Sequence, residues 1–145
     1  MIARIEQASP AVIAELETWA YEPPYDFYDG RGEPILDPER FYGAFDEAGS
    51  LVGNYYFEPQ GDVLVYGLGL RPELTGRGLG FEFFRAGLEF GRERFRPERI
   101  VLAVAAFNER AIKVYERAGF EVTGRHVRTF DWCGDVEFID MEERC

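Results

Sequence analysis

A chain of 145 residues that is 46% hydrophobic has the size of one domain and enough apolar side chains to bury a core. Its formal net charge of −11 argues against non-specific binding to nucleic acid, whose phosphates demand a basic surface. No apolar run approaches the roughly 18 residues of a membrane helix, and the N-terminus lacks the long apolar core of a secretory signal. Two cysteines, Cys133 and Cys145, make no disulfide framework, so a reduced cytoplasm is the expected compartment. The charge is uneven: residues 1–70 carry 13 acidic against 3 basic side chains, and residues 71–145 carry 14 against 13. An acidic first half favours a cationic partner such as a protonated amine, or serves solubility alone.

Ile2 to Glu6 alternates weakly and reads as a first strand. Ser9 before Pro10 is an N-cap with proline at the first helical position. Ile13, Leu16, Trp19 and Ala20 recur at helical spacing, predicting a helix to about Tyr21. Glu22 to Pro34 holds too much Pro and Gly for regular structure, yet it is crowded with Tyr25, Phe27 and Tyr28. Such a loop either packs onto the body or is built to meet a ligand. Phe41–Phe45 and Leu51–Phe57 read as a hairpin about an Asp46–Ser50 turn. A second turn at Pro59–Asp62 leads into the strand Val63–Leu70. Gly67 and Gly69 weaken that strand, and suggest a bulge or a close approach to its backbone. Leu79 to Phe95 is a helix by periodicity, ended by Arg96-Pro97. Ile100–Ala105 reads as a buried parallel strand, and Asn108 caps a helix from Glu109 to Ala118 with Gly119 as its stop. Phe120–Val122, Val127–Trp132 and Val136–Met141 complete the strands, with a turn at Gly134-Asp135. The order predicts an α/β (mixed α+β) domain, one central mixed sheet with helices on both faces. No linker or internal repeat divides residues 1–145.

The stretch Thr75-Gly76-Arg77-Gly78-Leu79-Gly80 joins a strand to a helix start. The first amides of a helix have no partner inside it, its dipole favours negative charge there, and glycines let the backbone approach a phosphate. A Walker loop would need Gly-Lys-Ser/Thr, but Phe81-Glu82 follows. A dinucleotide fingerprint would need a third glycine three residues on, and the spacing here is two and two.

The pattern resembles instead the acyl-coenzyme A loop of the GNAT superfamily of N-acetyltransferases, Arg/Gln-x-x-Gly-x-Gly/Ala. About thirty residues further on, Asn108, Ala111, Tyr115, Gly119 and Phe120 match that family's second block, in which a strand ends in Asn-x-x-Ala and the next helix carries Tyr before Gly-Phe. The resemblance runs from about Leu51 to the C-terminus and is faint before that. It implies a GNAT-like acyl-CoA-binding fold of about six to seven strands in which Val63–Leu70 and Ile100–Ala105 splay apart. It also implies pantetheine bound along Leu68, Gly69 and Leu70, pyrophosphate on the amides of Gly76 to Phe81, with Thr75 heading the loop, and Asn108 and Ala111 beside the cofactor. Tyr115 would be the general acid for the leaving thiolate.

Two departures matter. Thr75 replaces the usual Arg or Gln, and Arg71 or Arg77 could compensate. Ala103 stands where acetyltransferases of ribosomal-protein N-termini carry a Glu base. Glu58, near the end of its strand, is the candidate base in its stead, with a solvated strand end as its plainer reading. His126, the one histidine, reads as a surface strand residue, with a base as its other reading, and Cys133 as structural. Tyr25, Asp26 and Tyr28 could receive an ammonium by charge and ring faces. The expected function is acetyl-CoA-dependent N-acetyl transfer to a primary amine, a small molecule or a peptide N-terminus, with acetyl-CoA as cosubstrate and no metal. The alternative is a catalytically weak acyl-CoA-binding sensor or interaction module. Exposed aromatics and edge strands permit a homodimer.

Overall fold

A computed structural model describes residues 2–29 and 35–145. Among these residues seven strands form one sheet in the order β1-β2-β3-β4-β5-β7-β6, with three α-helices. The strands are β1 (Arg4–Gln7), β2 (Phe41–Phe45), β3 (Leu51–Gln60), β4 (Val63–Leu70), β5 (Arg99–Ala105), β6 (Glu121–Phe130) and β7 (Gly134–Arg144). The helices are α1 (Pro10–Leu16), α2 (Gly80–Phe95) and α3 (Glu109–Arg117). All strand pairs are antiparallel except β4 with β5.

Successive side chains of a strand face opposite sides of the sheet, and the chain fills both. On one side α2 lays Phe83, Phe84 and Leu88 onto Tyr55, Phe57, Tyr66 and Ile100. The phenol groups buried there are satisfied by helix backbone, Tyr55 donating to the Phe83 carbonyl at 2.6 Å and Tyr66 to that of Phe84 at 2.8 Å. On the other side α1 packs Leu16 against Phe45 and Leu51 in a smaller cluster.

Three elements differ from expectation. Ser9 caps α1, its hydroxyl accepting the Val12 amide at 3.3 Å, but the helix ends at Leu16. The amides of Thr18 and Trp19 turn back to Glu15 and Leu16, and the chain is then drawn away by Tyr21, whose hydroxyl donates to the Leu70 carbonyl at 2.9 Å. The two short segments read after Phe120 are one strand, β6, carried past Gly124 by an irregularity between Val122 and Gly124. Pro59 lies inside β3 rather than in a turn. β2 pairs only as far as Tyr56, so Pro59 has no ladder to interrupt on that side. Gly30 to Pro34, the end of the aromatic loop, lie outside the described residues; its earlier part forms a 3₁₀ turn at Tyr25–Tyr28. No helix among the described residues is long and apolar enough to cross a membrane.

Candidate acyl-transfer site

The parallel pairing of β4 with β5 covers only Val63–Val65 against Arg99–Val101. Beyond that point both strands continue, to Leu70 and Ala105, with no ladder between them. Pairing with β3 fixes which way β4 turns its peptide groups. The Arg71 amide donates to Val52 at 2.9 Å, and in an antiparallel ladder the residues that face the partner alternate. Gly69 and Gly67 therefore face β3, while the peptide groups of Leu68 and Leu70 point into the gap. Of the three residues expected along the pantetheine, Leu68 and Leu70 thus turn their peptide groups into the gap, the Leu70 carbonyl being taken by the Tyr21 hydroxyl, and Gly69 turns its own toward β3. Gly69 is glycine for another reason. The strand has no bulge there, and a Cβ would stand 2.6 Å from the Asn54 amide oxygen.

A cavity of about 440 Å³ occupies the gap, lined by Leu68, Gly69 and Leu70 on one wall and by Leu102, Ala103 and Val104 on the other. A second, of about 340 Å³, adjoins it over the glycine loop and is lined by Gly76, Gly78, Leu79, Gly80 and Phe81 together with Ala111 and Val114 of α3. Tyr115, Asn108, Arg110 and Thr75 border both. Gly76 and Gly78 adopt φ of +73° and +76°, a left-handed backbone that side chains with a Cβ resist. That path leaves the amides from Gly76 to Glu82 without a hydrogen-bond acceptor among the described residues, a row of donors suited to an anion. Thr75 contributes no charge, and its hydroxyl is spent on the Pro72 carbonyl at 2.7 Å. Arg71 is held by Glu15 at 2.8 Å, and Arg77 is exposed at the loop tip.

Tyr115 stacks on Phe84 with ring centroids 4.4 Å apart. Unlike Tyr21, Tyr55 and Tyr66, whose hydroxyls bond backbone carbonyls, its hydroxyl has no hydrogen-bond partner among the described residues. Burial, with Tyr28 adding to it, holds the Tyr115 hydroxyl well above its ordinary value of 10.0, so at neutral pH the group is a proton donor only. Asn108 caps α3 through its Oδ1, which accepts the Ala111 amide at 3.2 Å, and its Nδ2 donates to the Tyr28 hydroxyl at 3.2 Å. One side chain thus ties the aromatic turn to the helix that carries Tyr115.

Tyr25 and Tyr28 line the larger cavity; Asp26 is not among its lining residues. Among the described residues the carboxylate that does line it, which the sequence did not single out, is Glu17. It sits just past the shortened α1 and accepts the Ile35 amide at 2.8 Å. With α1 read as running to Tyr21, no sequence signal pointed to Glu17. Glu58 fares differently as a base. Its carboxylate is gripped by Gln60 at 2.8 Å, the Tyr56 hydroxyl at 2.7 Å and Arg40 at 2.8 Å, and it does not line the cavity. Those bonds hold its pKa down at about 2, which makes it a poor proton acceptor. The stability they provide is complete above the ordinary value of 4.5 and is lost as pH falls through about 2. Glu58→Gln is expected to lower the melting temperature by a few degrees and to leave turnover within about twofold, as a melting scan beside a thiol-release assay would report. His126 is engaged at the sheet edge, its Nδ1 2.9 Å from Asp140 Oδ2. Cys133 and Cys145 are exposed and free.

Parallel strands that part beside a loop of free amides, with a tyrosine hydroxyl at the junction, leave room for an extended ligand with an anionic end. The match to known proteins agrees: the acetyltransferase (GNAT) family model covers residues 5–120. The chain belongs to that family and carries its acetyltransferase domain. It is 37% identical over 109 residues to the mycothiol acetyltransferase of Mycolicibacterium gilvum, covering 70% of this chain and 36% of that protein. To the mycothiol acetyltransferase of Propionibacterium freudenreichii it is 40% identical over 99 residues, covering 63% and 31%. The chain therefore spans about a third of the length of these curated relatives. Among solved structures it resembles spermidine N-acetyltransferase from Vibrio cholerae in complex with CoA and spermine, with a TM-score of 0.74, 19% identity, and coverage of 97% of this chain and 94% of that one. A GNAT-family acetyltransferase from Streptococcus pneumoniae gives 0.75 at 18% identity, covering 97% and 98%. At such identities the structural likeness speaks for the fold.

Proposed function

We propose that this chain transfers an acetyl group directly from acetyl-CoA to a primary amine. The observation that carries the reading is the parted β4–β5 pair, which opens a channel from the free loop amides to the Tyr115 hydroxyl. The donor would lie along β4, hydrogen-bonded at Leu68 and Leu70, with its diphosphate on the amides of Gly76 to Phe81. The amine nitrogen attacks the thioester carbonyl carbon, a C–N bond forms and the C–S bond breaks. The thiolate takes the Tyr115 proton, and Tyr115 regains one from water as the nitrogen releases its own. A gap-facing amide of β4 is suited to stabilise the oxyanion. Asn108 is a positioning residue that holds α3 and the Tyr25–Tyr28 turn together.

On the acceptor side an ammonium would enter past the rings of Trp19, Tyr25 and Phe41 toward Glu17. The Vibrio cholerae neighbour is by name a spermidine N-acetyltransferase, and the acidic first half of the chain fits a cationic acceptor. Glu17→Gln is expected to raise KM for a polyamine or aminosugar acceptor at least tenfold with a much smaller change in kcat, measured by thiol release at saturating acetyl-CoA. The assay also tests the reading as a whole. If an amine panel releases no thiol while CoA still raises the melting temperature, the chain is a CoA-binding module and not an enzyme.

A further inference from the structure

Thr75 puts no charge on the glycine loop, and the two nearest arginines in sequence do not add one to it: Arg71 is committed to Glu15, and Arg77 is exposed at the tip. Two other arginines face the same space. Arg110 and Arg117 are seven residues apart on α3, hence two turns apart on one helix face, and both line the cavity over the loop. The Arg110 Nη1 lies 3.8 Å from where a Cβ on Gly76 would be. Each guanidinium lies over an aromatic ring, Arg110 4.3 Å above Tyr25 and Arg117 4.0 Å above Phe81. Stacking fixes their position without using their N–H donors. Neither has a carboxylate within ion-pairing distance among the described residues, whereas Arg4, Arg40, Arg71, Arg85, Arg92, Arg99 and Arg125 do.

In a chain of net charge −11, two ring-mounted guanidinium groups without acidic partners, set beside a row of free amides, mark a place kept positive. A neutral pantetheine arm has no use for it; the anionic end of the donor does. We propose that Arg110 and Arg117, reaching across from α3, supply the cationic contacts to coenzyme A that Thr75 does not: Arg110 to the diphosphate beside Gly76, and Arg117 to the phosphorylated ribose further out, beside Phe81. The assignment rests on the donor reading above and makes the nucleotide end of the donor the part this chain selects. Planar guanidinium forks suit phosphate by bidentate bonding, and arginines on a helix surface can be changed without disturbing the core.

Isothermal titration calorimetry with CoA, dephospho-CoA and pantetheine tests it on the purified chain, with circular dichroism to verify the fold. Arg110→Gln is expected to weaken CoA and dephospho-CoA alike, by about tenfold or more, and to flatten the salt dependence of binding. Arg117→Gln is expected to weaken CoA by a similar factor and dephospho-CoA far less, because the 3′-phosphate is then already absent. Pantetheine binding should not respond to either change. Lysine at each position should recover part of the loss. Should the unaltered chain bind CoA while both glutamine variants match it within twofold, the arginines are bystanders and the proposal falls alone. Should the unaltered chain take up no CoA, the donor reading itself falls and carries the proposal with it.

Discussion

Tyr115→Phe is expected to lower kcat by about a hundredfold or more while leaving the calorimetric affinity for CoA within about twofold. The phenyl ring keeps its stack on Phe84 and its share of both cavity walls, so the donor's binding surface survives and only the proton is lost. The same hydroxyl sets an expectation for pH. Because burial raises its pKa above 10.0, its protonated, donating form persists as pH rises. The rate with the native chain should therefore climb as the acceptor amine is deprotonated and show no alkaline fall from Tyr115 below about pH 10. A descending limb near pH 8, absent from the phenylalanine variant, would contradict a buried tyrosine donor. Turnover unchanged by the substitution would remove Tyr115 from the chemistry.

Gly87→Ala is expected to destabilise the fold by about 3 kcal/mol, a fall of about 10 °C in melting temperature, although alanine is the better helix former by roughly 1 kcal/mol. Gly87 is buried in the middle of α2, and a Cβ there would run into the Tyr66 hydroxyl and the Tyr55 ring. Neither obstacle can step aside cheaply. Both hydroxyls are bonded to the carbonyls of Phe83 and Phe84 one turn earlier, and the two rings stack at 6.1 Å. Intrinsic propensity and packing thus predict opposite signs at one position, and packing outweighs propensity. The consequence reaches function, since α2 begins in the glycine loop and any retreat of the helix displaces the amides from Gly80 onward. Thermal unfolding of the variant beside Arg85→Ala, on the exposed face of the same helix, decides the matter. A melting point equal to or above that of the native chain would show that α2 does not press on these rings.

Most of the architecture was legible because its signals are local. Ser9-Pro10 and Asn108 mark helix starts through groups within three residues, and the side chains accept the bonds expected of caps. The apolar runs Val63–Leu70 and Ile100–Ala105 marked strands, and the glycine spacing together with Asn108-x-x-Ala111 and Tyr115 marked the family. The errors were equally specific. α1 stops at Leu16 because Tyr21 is held by a carbonyl 49 residues away, a contact without trace in the periodicity of the helix. Nor could the sequence show that Arg40, Gln60 and Tyr56 surround the carboxylate of Glu58, the residue read as the candidate base.

The chain by itself determined where helices and strands form and that a bare-backbone loop would follow β4, since caps, alternation and left-handed glycines act over a few residues. Only the tertiary structure decided what that loop can hold and what meets it. The pairing with β3 turned Leu68 and Leu70, rather than Gly69, toward the gap, and folding brought Glu17 to the cavity and Arg110 and Arg117 to the glycines. Ladder register and helix placement are collective: each depends on residues far along the chain finding the same partner face, and no window of sequence contains that information.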